Sequence, residues 1–303
     1  MNRPHDANGI TRKYFDSLML EMRHFDAVLP DTTFKLFGET FQTPIMTAAL
    51  SHLTGCHPDG LEEMARGALA AGAVMWCGMG PDEELERVCK TGAKTIRIIK
   101  PHADNEEVFR EIALAESLGC LAIGMDIDHA YNHKGEYDNI FGDCPLSGKT
   151  TEELTSFVKA TKLPFIIKGV LSVRDAQKCL EIGAGGLVVS HHHGIMDYAI
   201  PPLMVLPKIV EAVNGRIPIF VDCGFDTGMD AFKALALGAD GVSVGRTLMK
   251  PLKEGAAPAV AQKITAMNQA LKGAMARTAT ATLTDMDPTV IWQSSTGSSL
   301  VQP

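Results

Sequence analysis

A chain of 303 residues, 46% hydrophobic and 21% charged, has the make-up of a soluble globule with a sizeable core. Its formal charge of −8, with no cluster of lysine or arginine, argues against a nucleic-acid surface. Seven cysteines at irregular spacing, with no CxxC pair, argue against a disulfide framework or a zinc ribbon and favour reduced thiols. The first thirty residues carry charge throughout and no stretch reaches the ~20 apolar residues of a membrane span, so a soluble, cytoplasmic setting is expected.

Eight short apolar runs recur along the chain: 44–48, 73–77, 95–99, 121–126, 164–168, 186–190, 218–222 and 241–245. Between and after them, stretches 61–71, 82–90, 106–118, 152–160, 173–182, 203–213, 229–237 and 256–274 carry apolar residues at helical spacing. Gly72, Gly119, Gly183 and Gly238 stand just past helix ends, where a left-handed residue is wanted. Alternating β and α units predict a parallel sheet, and eight of them predict a closed (β/α)₈ TIM barrel of the α/β class. No linker-like stretch splits the chain. Residues 1–40 read as a lead-in across the bottom of the barrel, 41–277 as the barrel itself, and 278–303 as a tail.

Three runs end abruptly in polar residues: PFIIKG at 164–169, GLVVSHHHG at 186–194 and VDCGFDTG at 221–228. Buried parallel strands look like this where they deliver functional groups to their C-terminal ends, the face on which such barrels build sites. Lys168, His192 and Asp222 should therefore converge. A lysine ending an apolar strand either snorkels to water or lies against a carboxylate. Of three successive histidines, one could be a general base, one a satisfied core imidazole and one solvated.

The segments LPFIIKGVLSVRDAQKCLEIGAGGLVVSHHHG, DYAIPPLMVLPKIVEAVNGRIPIFVDCG and GMDAFKALALGADGVSVGR resemble the FMN-dependent α-hydroxy acid oxidases and dehydrogenases. The likeness is close from about 160 to 250 and weaker upstream through FGETFQTPIMTAAL and HPDGLEEMARGALAAGAVM. It implies a (β/α)₈ barrel, FMN as cofactor, a small and anionic substrate, and a homo-oligomer of four or more chains. Lys168 falls on the lysine beside the flavin N1–C2 edge, where a cation stabilises the reduced ring. His192 falls on the base that removes a substrate proton as electrons pass to the flavin. Asp222, Gly224, Gly245 and Arg246 fall on the seventh-strand motif and the phosphate cradle. Ala48 and Ala49 fall on the first-strand segment beside the ring, and Thr95 and Ser190 complete the expected cofactor contacts. Asp126 is the expected orienting carboxylate for His192.

The chain departs from the family pattern at several positions. Ile195 stands where an arginine should grip the substrate carboxylate, a loss of charge-assisted bonds of about 1.5–3 kcal/mol each. Arg97 is therefore expected to take over anion binding, with His191 and His193 as further substrate contacts. Cys223 replaces a glycine, Asp226 stands where a phosphate-binding arginine is usual, and the N-terminal helix of the family is expected to be missing. Two enzymatic alternatives remain open, beside a non-enzymatic barrel that serves as a ligand-binding or assembly subunit. One is flavin chemistry without net oxidation, as in an isomerase. The other is a flavin-less barrel holding a metal among Asp126, Asp128, His129, His133 and the histidines at 191–193.

Overall fold

The computed structural model describes residues 5–140 and 144–293. Eight parallel strands form the barrel: β1 (Ile45–Thr47), β2 (Met75–Cys77), β3 (Thr95–Ile99), β4 (Ala122–Asp126), β5 (Phe165–Val170), β6 (Gly186–Val189), β7 (Ile219–Val221) and β8 (Gly241–Val244). Each is followed by a helix: α1 (Gly60–Ala70), α2 (Asp82–Lys90), α3 (Asn105–Ser117), α4 (Thr151–Lys159), α5 (Val173–Glu181), α6 (Pro202–Val213), α7 (Gly228–Ala236) and α8 (Arg246–Arg277). The strands pair in the order β1-β8-β7-β6-β5-β4-β3-β2. The seam between β1 and β2 closes through Thr47 N–H donating to Val74 O at 3.2 Å and a parallel bridge from Leu50 to Cys77.

Side chains alternate between two cores because successive strand residues point to opposite faces. Met46, Val74, Trp76, Ile96, Ile98, Ala122, Ile166, Val188 and Phe220 fill the barrel interior, together with Phe34, Leu36 and Phe41. The last three belong to a hairpin, Phe34–Leu36 with Glu39–Phe41, that plugs one end. Residues of the other parity, such as Ile45, Met75, Ile99, Ile123, Ile167 and Val221, pack against the helices. The eight strands and their helices lie within two residues of the sequence-based bounds, except that α8 starts ten residues early and ends three late. It breaks at Gly255 and Ala256, the latter at φ +49°, so its second half is the helix expected over 256–274.

The lead-in does not lie wholly across the bottom. Residues Ala7–Ser17 form a helix on the opposite, C-terminal face, where Asn8 donates to His193 O and Arg12 to Gly224 O. Asp6 caps it, accepting from the backbone N–H of Asn8 and Gly9. The expectation that this helix is missing is thus corrected. It contributes Asn8 and Arg12, but not Tyr14, to the cavity described below.

Candidate active site

Strand parity decides which residues meet at the C-terminal face. Counting on by twos from the interior residues places Ala48, Lys100, Asp126, Lys168, Ser190, Asp222 and Gly245 around one ring. The ring is dominated by charge. Lys100 Nζ donates to Asp126 Oδ2 at 2.7 Å, and Lys168 Nζ pairs with Asp126 Oδ1 at 2.7 Å and with Asp222 Oδ2 at 3.6 Å. All four side chains are at most 10% exposed, so each ion depends on its partners rather than on water. Burial alone would raise the Asp126 carboxyl, but Lys168 and then Lys100 overcome it and hold it well below the usual carboxylate range. Burial opposes the charge of Lys168 likewise, and Asp126 and Asp222 raise it well above an ordinary lysine.

The histidine run is a left-handed turn, with φ of +47° at His192, +54° at His193 and +78° at Gly194. Backbone strain of this kind at non-glycine residues persists only where surroundings hold it. Here Ser190 Oγ accepts from His192 N–H at 3.0 Å, and His193 N–H points at Cys223 Sγ at 3.3 Å. The turn separates three fates. His191 is buried, its Nδ1 accepting from Gly194 N–H at 2.9 Å, so Nε2 carries the proton and donates to Thr11 Oγ1 at 2.8 Å. His192 faces the ring, with Nδ1 3.0 Å from Asp128 Oδ1 and 3.8 Å from Asp126 Oδ1. His193 turns to the cavity, where burial and then Arg246 push it down to about 4 and keep it neutral.

A cavity of about 430 Å³ opens beside the ring, in the size range of small-molecule sites. Ala48, Ala49, Leu50, Lys168, His192, His193, Asp222, Gly224, Ser243, Gly245 and Arg246 are among its lining residues. Arg246 has no carboxylate partner among the described residues, although burial lowers its pKa. Gly245 lies against Ala48 and Leu50, which a Cβ would meet at 3.3 and 3.4 Å, so its wall is flat only as glycine. A cleft with an ammonium at one end and an unpaired guanidinium among glycines at the other fits a planar ring joined to a phosphate. Asp226 is exposed at the rim, where Thr247 Oγ1 donates to its carboxylate.

The comparisons with known proteins agree with that fit. The family model described as FMN-dependent dehydrogenase matches residues 7–143 and 136–293. The chain belongs to the FMN-dependent dehydrogenase family. Glycolate oxidase 3 of Arabidopsis thaliana is 33% identical over 252 residues, covering 71% of this chain and 68% of the relative. Glycolate oxidase of Spinacia oleracea is 31% identical over 280 residues, covering 80% and 74%. A solved mandelate oxidase variant with the monooxide FMN adduct superposes with a TM-score of 0.87 at 26% identity, covering 96% of this chain and 92% of that one. FMN is therefore the cofactor, and the protein is an FMN-dependent oxidoreductase of the 2-hydroxy acid oxidase type.

Among the sequence-expected flavin-site residues, Lys168, His192, Asp222, Gly224, Gly245, Arg246, Ala48, Ala49 and His193 meet at the cavity. Ser190 stands behind it, holding the turn. Three residues do not belong there. Thr95 begins β3 at the far end of the barrel and donates to Ala93 O. Arg97 points outward into the helix layer at 2% exposure, binding Gly78 O, Gly80 O and Glu111 Oε1, so it cannot reach a substrate. His191 is likewise a structural anchor for the N-terminal helix rather than a substrate contact. Asp126 is claimed by two lysines, and Asp128 is the nearer partner of His192. Asp128 and Lys100 are the site residues that the sequence reading left unassigned or gave another role. Asp126, Asp128 and His192 lie within 4.8 Å of one another, but two ammonium groups already occupy Asp126, which disfavours a dication there.

Proposed function

We propose that this protein oxidises a small, anionic 2-hydroxy acid, with His192 as the base that takes the substrate hydroxyl proton. The observation that carries the reading is the Asp128–His192 pair beside the cavity. A carboxylate on Nδ1 fixes that nitrogen as the proton-bearing one and leaves the Nε2 lone pair to accept a proton. The same carboxylate then faces the imidazolium that forms. Bound FMN supplies the two-electron acceptor. Lys168, held charged between Asp126 and Asp222, opposes the negative charge that builds during transfer. Arg246 and the backbone around Gly224 and Gly245 would hold the phosphate. Similarity to glycolate and mandelate oxidases supports the substrate class. A homo-oligomer and a cytoplasmic setting belong to the same reading. Support for the oligomer comes from Phe25 and Leu29, 94% and 95% exposed before the barrel.

The test is His192→Ala. The variant should keep one FMN per chain and lose anaerobic flavin reduction by any 2-hydroxy acid that bleaches the parent. Reduction at the parent rate would remove His192 from the reaction.

A further inference from the structure

A 2-hydroxy acid presents a carboxylate beside the hydroxyl that reacts, and a buried carboxylate needs a cation. The usual positions do not supply one here. Ile195 is an apolar side chain at 43% exposure, and Arg97 is consumed beneath α3 by Glu111 and two backbone carbonyls. Lys168 is engaged on both sides, by Asp126 and Asp222.

Lys100 is different. It follows β3 with the parity of Ile96 and Ile98, the interior residues of that strand, so it stands in the inward ring rather than in the helix layer. Its side chain is 10% exposed, and its one side-chain hydrogen bond among the described residues is to Asp126 Oδ2 at 2.7 Å. An ammonium has three N–H donors, so two remain. Asp126 links it to the reacting centre, because the other carboxylate oxygen lies 3.8 Å from His192 Nδ1. That oxygen is already held by Lys168 at 2.7 Å, so Asp126 keeps a counter-ion when Lys100 shares its charge with a ligand.

We infer that Lys100 binds the substrate carboxylate and sets the preference of the site for anions. The inference rests on the reading of the site as one for 2-hydroxy acids. A lysine acts as a point charge rather than a two-pronged fork, so it selects for charge more than for the planar geometry of the group. Asp126 takes the complementary part, holding Lys100 at the rim of the base rather than letting it extend to solvent.

The experiment compares oxalate, an unreactive dianion, with oxamide, its uncharged counterpart, by calorimetry on the FMN-loaded protein. The parent should bind oxalate more tightly than oxamide. Lys100→Met should weaken oxalate by about 10- to 100-fold, the range of one charge-assisted hydrogen bond, and leave oxamide within about twofold. Lys100→Arg should recover part of the oxalate affinity. Equal weakening of both ligands would mean a collapsed pocket and would overturn the assignment. So would unchanged oxalate binding in Lys100→Met, or a parent that does not prefer oxalate. FMN content read on the same samples separates these outcomes from failure of the flavin reading itself, which would show as protein that holds no flavin.

Discussion

Asp128 offers the sharpest test of how the base is built. Its Oδ1 lies 3.0 Å from His192 Nδ1, and its Oδ2 is buried with no hydrogen-bond partner among the described residues. Asp128→Asn keeps an acceptor for the Nδ1 proton but removes the charge. A charged hydrogen bond contributes about 1.5–3 kcal/mol and a neutral one about 0.5–1.5, a difference of about 1–2 kcal/mol. At 1.36 kcal/mol per tenfold, flavin reduction should slow by roughly 5- to 30-fold. Asp128→Ala removes the whole interaction and should slow it by roughly 10- to 150-fold. Asp126 cannot replace the lost partner, since its oxygens serve Lys100 and Lys168. Gly169→Ala supplies a control that leaves every charge in place. Gly169 has φ +99°, and a Cβ there would come within 2.7 Å of Asp128 Cβ, so the carboxylate must move. Rapid anaerobic mixing with substrate, followed at the flavin band, reads the rate directly. Asn and Ala variants that retain FMN and reduce it within about twofold of the parent would refute the assignment of Asp128 as the orienting group.

Arg97→Met should leave the KM of the folded enzyme unchanged and cost about 3–5 kcal/mol of stability in urea, because Glu111 loses its buried guanidinium partner. A raised KM with unaltered stability would return Arg97 to the substrate. Burial pushes the His191 imidazole below its ordinary value, so the unfolded chain takes up a proton that the folded one refuses. Its contribution is fully present above about pH 6.5 and is lost as pH falls below that. His191→Asn should therefore flatten the fall in stability between about pH 7 and 5 measured by urea unfolding, and an unchanged slope would contradict this.

The barrel was legible because each buried strand is an unbroken apolar run, and each helix has a different, longer period. Strand parity explains most of what was misread at the site. Thr95 is expected at the flavin and Arg97 at the substrate, both one residue out of phase with Ile96 and Ile98, and a shift of one position exchanges the inner face for the outer. Keeping the phase of Ile96 and Ile98 would have found Lys100 instead. The same rule puts Asp126, Lys168, Ser190 and Asp222 on the inner face at the ends of their strands. Asp128 escapes parity altogether, since it lies in the short turn Ile127–Ala130 past β4 and reaches His192 from there. The N-terminal helix was hidden for another reason. It is short and polar, and its contacts with His191, His193, Gly224 and Asp230 across the barrel mouth reveal what it serves.

The account stands on FMN occupying the cavity between Lys168 and Arg246. The most direct measurement is the visible spectrum of freshly purified protein, with the released chromophore weighed by mass spectrometry. The account predicts a flavin spectrum and FMN at one per chain, lost or weakened in Arg246→Ala. Colourless protein that cannot be reconstituted with FMN would contradict it.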